Sequence, residues 1–572
     1  MKVRWMAWLV AGLLLTLMVG LLLGPIRQDS ATVDETSFQS AGYSDLKGYK
    51  FYFDPESPSL SQIWPAIPLL FMDVKIPDAG RALLDRQAGY PWTVPWSGEP
   101  AAVQSLFPQG RDSWYFWPKP EAQIFGQILV YGGQNDGEAM LFAGRVMQLL
   151  VTVALGVLIF VWTRRASQND AAALVALALW IFNPNTLAYG HLITTDINGA
   201  LAIPLAVFLF TRFLQQPNVK TAAVAGASLG FAFLMKFNAL SLGPICVVLT
   251  ACFWKSLKAA RPHLMQSVLA LVAAAWLVIL LGYFPVWSPA PSLSTDQASI
   301  LGVPGWFQAC RPLLLPRDFF KGAALVLSHS QGGHEAYFLG EWSKQGWWYY
   351  FPVVFALKSP LAFLVALLIG VGAASSSWKR LGAYERAPWI AGATYFALAM
   401  TSSINIGVRH LLPVVPLVCV GTGCSLSRMT NRVARYAMAG LIVWQAVVAV
   451  AVYPCYLQFF NEAAGGAANG YKYALDSNFD WGQDAKRLKK FLEDRKISHI
   501  YLDYFGTQYN IEYLKIPNTR VNAEQARHLN NGWLVVSASE LMRPEWAWLR
   551  ESREPTAGVA CTLFVYQLGR VE

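Results

Sequence analysis

The chain has 572 residues, of which 55% are hydrophobic and only 14% charged, about half the 25% or so of charged residues in a soluble globular protein. That excludes an ordinary soluble enzyme. The formal net charge of +10 does not point to nucleic acid either, because excess Lys and Arg in a membrane protein collect in short cytoplasmic loops.

Apolar runs near the roughly 20 residues that cross a bilayer recur from residue 5 to residue 453. The first, 5–23, follows Lys2 and Arg4. Its apolar core is long and no small-x-small cleavage site follows, so it reads as a retained helix rather than a signal peptide. A long polar segment, 24–138, comes next. Further spans are expected at 140–162, 171–187, 197–213, 221–235, 239–253, 264–284, 359–374, 388–400, 411–426 and 437–453, about eleven in all. Lys236-Phe-Asn238 divides 221–253 into two helices.

Basic residues set the orientation. Arg164 and Arg165, Arg212 and Lys220, Lys255, Lys258 and Arg261, Lys379, Arg380 and Arg386, and Arg428, Arg432 and Arg435 all fall in alternate loops nearly free of acids. These loops belong inside, with the N-terminus. The 24–138 loop, the 190–196 turn, the 285–358 loop and the tail from residue 454 then lie outside. Reporter fusions after Arg165, Arg261 and Arg435 should read cytoplasmic, and fusions after Asp45, Leu327 and Glu572 external. A cytoplasmic C-terminus would overturn this parity.

The tail, 454–572, differs from what precedes it. A charged helical stretch, 483–495, is followed by short apolar or alternating runs at 499–504, 533–537 and 562–567, the pattern of a small α/β or α+β domain. The expected fold is therefore mainly α: a polytopic membrane bundle over 1–453 with a small extracytoplasmic C-terminal domain. Cys246, Cys252, Cys419 and Cys424 fall in apolar runs and read as packing residues. Cys310, Cys455 and Cys561 lie outside, and a Cys455–Cys561 bridge is expected. No CxxC pair supports a structural zinc site.

Polar residues concentrate at the outer helix ends. Asp34-Glu35 follows the first span, and Asp54-Pro-Glu56 leads through a Pro-rich turn into an apolar segment, 64–72, too short to span and suited to the interface. Asp196 ends His191-Leu-Ile-Thr-Thr-Asp196 at the mouth of a span, where it could equally be a helix cap. Lys236, Lys358 and Arg409-His410 occupy similar outer boundaries. Each could be a snorkelling anchor; together they could hold a lipid-linked phosphate. In the tail, Asp476-Ser-Asn-Phe-Asp-Trp-Gly-Gln-Asp484 includes Asp480 and Trp481, which could bind sugar by hydrogen bonding and stacking, or could simply be a capped turn entering a helix. Acids beside phosphate-binding cations at one membrane face suggest group transfer from a polyprenyl phosphate, with an acid accepting the proton of a hydroxyl nucleophile and the cations stabilising the departing phosphate.

These segments resemble the membrane glycosyltransferases of the GT-C superfamily, in particular the protein O-mannosyltransferases and the bacterial aminoarabinose transferases. The resemblance rests on Asp34-Glu35, the Asp54–Leu60 segment, Thr195-Asp196, the stretch from Gly226 to Lys236, Gly346 through Pro360, Ile406 through Pro413, and Tyr453 through Asp484, taken in that order along the chain. It implies inverting transfer from a dolichyl- or undecaprenyl-phosphate sugar to an envelope lipid, glycan or protein, in the bacterial inner membrane. It makes Asp34 the base, with Glu35 and Asp196 as further catalytic candidates. Arg409, with His410, Lys236 and Lys358, would face the lipid phosphate, and Glu56, Asp480 and Trp481 would bind substrate. Relatives often carry His-Pro-Pro where this chain has Ser57-Pro58-Ser59, which removes any contact made by that His. The chain also lacks the sugar-binding MIR domain of protein mannosyltransferases, so proteins are the less favoured acceptor. The sequence singles out no metal-ligand set, although the chemistry admits a divalent cation. The alternative is a transporter or flippase for a lipid-linked or polar solute, whose charges would line a pathway; here they gather at helix ends instead.

Overall fold

The computed structural model describes residues 2–48, 54, 56–87, 119–258, 264–284, 316–429 and 431–569. Residues 88–118 and 285–315, with Cys310, lie outside the described residues, as do Tyr52, Phe53, Pro55, Arg261 and Glu572.

Every expected span is helical, 171–187 in two pieces. Among the described residues six helices are long and apolar enough to cross a membrane: Trp5–Gln28, Gly137–Ser167, Asp196–Gln215, Leu264–Tyr283, Leu361–Arg380 and Arg432–Ala451. They make the chain an integral membrane protein. The runs at 171–187, 221–235, 239–253, 388–400 and 411–426 form the shorter helices Asp170–Ile181, Val219–Met235, Leu242–Cys252, Ala383–Ala399 and Val414–Leu426. Local signals explain several ends. Asn169 caps one helix through Ala172 N, and Asn183 with Pro184 starts a separate turn of helix, so the 171–187 run is broken in two. Asn218 and Thr221 form a capping box at the start of Val219–Met235, and that helix ends at Lys236, where the two-helix reading of 221–253 placed the break.

The helices Val219–Met235 and Leu264–Tyr283 pack closely because Gly226 and Gly230 face the second backbone. A Cβ at Gly226 would stand 1.9 Å from Leu271 O and one at Gly230 2.4 Å from Ala275 O. This is the small-residue helix contact of membrane bundles, where close backbone approach replaces hydrophobic drive. The polar loop after the first helix is itself folded: Glu35–Leu46 is buried along most of its length, and Gln39 Nε2 donates to Met140 O at 2.7 Å. The expected interfacial segment is the helix Ser59–Ala66 with a 3-10 turn to Phe71, which is 86% exposed.

Two short strands, β1 (Ala336–Phe338) and β2 (Glu341–Ser343), form an antiparallel hairpin. The remaining five are β3 (Ile500–Asp503), β4 (Asn518–Arg520), β5 (Gly532–Ser537), β6 (Ala557–Val559) and β7 (Leu563–Leu568), in the order β4-β3-β5-β7-β6. β3 is parallel to both β4 and β5, while β7 is antiparallel to β5 and β6. Helix Ala485–Arg495 lays Leu488 and Leu492 against one side of this sheet, with Ile500, Leu502 and Val565. The three apolar runs in the tail thus became β3, β5 and β7. Cys455 and Cys561 are free thiols, so the expected bridge is not formed. Cys455 is half-buried beyond the last long helix, whereas Cys561 is exposed in the β6–β7 turn.

Candidate active site

Four of the predicted residues converge. Thr195 is the N-cap, without a side-chain cap bond, and Asp196 is the first residue of helix Asp196–Gln215. Asp196 Oδ1 lies 2.5 Å from Lys236 Nζ, and Arg409 Nη1 lies 3.6 Å from its Oδ2. The same Arg409 nitrogen is 3.3 Å from Asp34 Oδ2. Asp34 and Arg409 are 375 residues apart in sequence, yet one guanidinium spans both acids. Asp34 keeps 13% of its side chain accessible, against 2% for Asp196. Asp34 is thus the more accessible of the two acids, and Asp196 is enclosed with its cations.

His410 follows Arg409 in the same 3-10 turn, Val408–Leu411. Desolvation, reinforced by the Lys236 and Arg409 cations, holds its imidazole well below the ordinary histidine value.

The structure gives the other predicted residues different partners. Glu35 points into a buried ion pair: Arg145 Nε donates to Oε1 at 2.8 Å and Nη2 to Oε2 at 2.6 Å. Glu35 also accepts from Thr32 N and Ile193 N. Burial alone would raise its carboxyl, but Arg145 and these donors hold it below the usual value. Lys358 is fully buried, with Nζ donating to Leu457 O at 2.9 Å and to Asn478 O. It braces backbone and does not line the acid–cation cluster. Glu56 stands at the margin, 3.7 Å from His329 Nδ1, and His329 in turn meets His334 at 3.0 Å. Asp480 is 1% exposed and accepts from Ser539 N; burial pushes its carboxyl up to about 7. Trp481 is 3% exposed, with the Arg409 guanidinium 4.4 Å over its ring. Stacking on a sugar is closed to it, so the turn reading of the 476–484 motif describes these two side chains.

Four residues near the nominated ones were not among the candidates taken from the sequence. Arg145 was visible as a lone arginine inside an apolar run, a placement that membrane energetics makes expensive and therefore purposeful. Asp476 sits at φ +55 beside Arg409 and Asp34. Burial raises its carboxyl above the usual range, against the pull of Arg409 and His334. His329 and His334 carried no local signal. Among the described residues no group of three or more His, Cys, Asp or Glu is arranged to hold a metal ion.

The structure is thus a helical membrane bundle with acids and cations gathered at helix ends. Residues 137–279 match the family model of the dolichyl-phosphate-mannose-protein mannosyltransferases. The matched segment carries Asp196 and Lys236, and it bears out the resemblance to GT-C membrane glycosyltransferases. No curated protein matches over the chain. Among solved structures, ArnT from Cupriavidus metallidurans bound to undecaprenyl phosphate is 12% identical with a TM-score of 0.45, covering 98% of this chain and 97% of that one. Its apo form is 12% identical with a TM-score of 0.47, covering 98% of each chain.

Proposed function

We propose that this protein transfers a sugar, with inversion, from a polyprenyl-phosphate donor to a hydroxyl of an envelope lipid, glycan or protein. The reaction takes place at the outer face of the bacterial inner membrane. The observation that carries this reading is the Arg409 guanidinium lying between Asp34 and Asp196, on chain segments that meet at helix ends. Residues 1–453 form the transferase bundle, and the tail from 454 caps it on the external side.

The chemistry follows from exchange of partners. When the donor enters, its phosphate takes the place of Asp34 on Arg409, with Lys236 nearby as a second cation. Asp34, released from the guanidinium, accepts the proton of the acceptor hydroxyl while that oxygen attacks the anomeric carbon. The bond from that carbon to the phosphate oxygen breaks, and the charge left on the lipid phosphate falls to Arg409 and Lys236. Asp196 holds both cations in place.

The test is binding and turnover with a panel of labelled polyprenyl-phosphate sugars. Arg409→Ala should reduce donor binding severely. Arg409→Lys should restore it only in part, since a point charge replaces a planar fork. Normal binding by both variants would reduce Arg409 to an interfacial anchor. Lipid movement across vesicles with no transfer from any donor would favour the flippase.

A further inference from the structure

The tail motif Asp476–Asp484 sits between the two loops that carry Asp34 and Arg409, and it bonds to both. On the Arg409 side, Ser477 Oγ donates to Ile406 O at 2.5 Å, and Val408 N donates to Asn478 Oδ1 at 2.9 Å. Asn478 Nδ2 is fixed in turn by Tyr350 Oη at 2.8 Å, and Tyr189 Oη reaches Ser477 O at 2.5 Å. Gly407 makes room for this contact, for a Cβ there would stand 2.4 Å from Ser477 Oγ. On the Asp34 side, Val33 N donates to Trp481 O at 3.1 Å and Ser30 N to Gln483 O at 2.8 Å. Just beyond the motif, Lys486 N donates to Ser30 Oγ and Arg487 pairs with Asp29 at 2.6 Å.

Trp481 belongs to both sides. Its ring lies under the Arg409 guanidinium, and its carbonyl holds the amide next to Asp34. Its backbone N–H donates to Gln483 Oε1 at 2.8 Å, and its side chain is packed in the interior at 3% exposure. A buried indole is the strongest aromatic platform for a cation. It covers one face of the planar Arg409 guanidinium and leaves the N–H edge for anions.

We infer that the 476–484 segment is a working part of the transferase site, and that Trp481 is a positioning residue which sets the Arg409 guanidinium against Asp34 and the donor phosphate. This rests on the proposed reading of Arg409 as the phosphate partner. A displacement of about 1 Å in such a group is enough to cost on the order of 10²-fold.

The experiment uses the full chain in detergent, with polyprenyl phosphate itself, without sugar, as the probe. Trp481→Leu keeps the backbone carbonyl and most of the volume but removes the π face, and should weaken probe binding about tenfold or more. Trp481→Phe keeps a smaller ring and should recover most of that loss. In a cycle with Arg409→Lys the effects should be non-additive, because Trp481 acts only through Arg409. If Trp481→Leu does not fold, the cycle between Trp481→Phe and Arg409→Lys decides alone. Folded Trp481 variants that bind the probe as tightly as wild type, or effects that simply add, overturn the inference. A wild-type protein that binds no polyprenyl phosphate sinks the proposed function instead, and this inference with it.

Discussion

Asp34→Asn is expected to lower turnover by about 10²–10⁴-fold, the usual contribution of a general base, while donor binding survives. The amide preserves the size of the side chain and can still accept a hydrogen bond from Arg409, which stands 3.3 Å from the carboxylate. It cannot take up the proton of an acceptor hydroxyl. Asp196→Asn differs in kind, because the residue is nearly inaccessible and faces Lys236 and Arg409; its loss should disturb the cations and raise the KM for donor. The measurement is kcat and KM for each variant with whichever labelled donor and acceptor react. Wild-type kcat in Asp34→Asn would remove the base assignment and pass it to Asp196 or Asp476.

Glu35→Gln should fail in the opposite way, losing stability and not turnover per folded molecule. The Glu35–Arg145 pair is buried on both sides, at 0% and 1% side-chain exposure. Removing one charge from such a pair costs about 3–5 kcal/mol, because the other is left uncompensated. Arg145 also donates to the carbonyls of Ile26, Asp29 and Ser30, so it fixes where the first long helix hands over to the Asp34 loop. Replacing both residues by apolar side chains should recover only part of the loss, since those carbonyls would remain without their donor. Thermal unfolding in detergent, with the yield of monodisperse protein, reads this directly. A Glu35→Gln protein that melts with wild type yet does not turn over would make Glu35 the base.

What was legible in the sequence was whatever depends on neighbours along the chain. The apolar runs became helices because length and hydropathy suffice for that, and Lys236-Phe-Asn238 marked a real break because a cation and an amide interrupt an apolar period. Asp34, Asp196, Lys236 and Arg409 could be nominated from their places at helix ends and from the motifs that resemble GT-C enzymes. Which of the nominated groups would meet was not legible. Glu35 and Asp34 are adjacent, yet successive residues at a helix start point different ways, and one found Arg145 while the other found Arg409. Lys358 and Trp481 have the composition of ligand-binding residues; only the structure shows that Lys358 is spent on backbone carbonyls and that Trp481 faces a guanidinium.

The clamp between the loop after the first helix and the tail also sets a timetable. Ser30 receives the amide of Lys486 from 456 residues further along the chain. At a synthesis rate of about 5–20 residues per second, that partner emerges roughly 20–90 s later. During this interval the loops that carry Asp34 and Arg409 lack the hydrogen bonds that the 476–487 stretch supplies. A ribosome-bound chain ending before residue 476 carries every long apolar helix among the described residues and all four clustered side chains, but none of these tail hydrogen bonds. On the proposed reading, the loops that carry Asp34 and Arg409 are joined only once the 476–487 stretch has emerged.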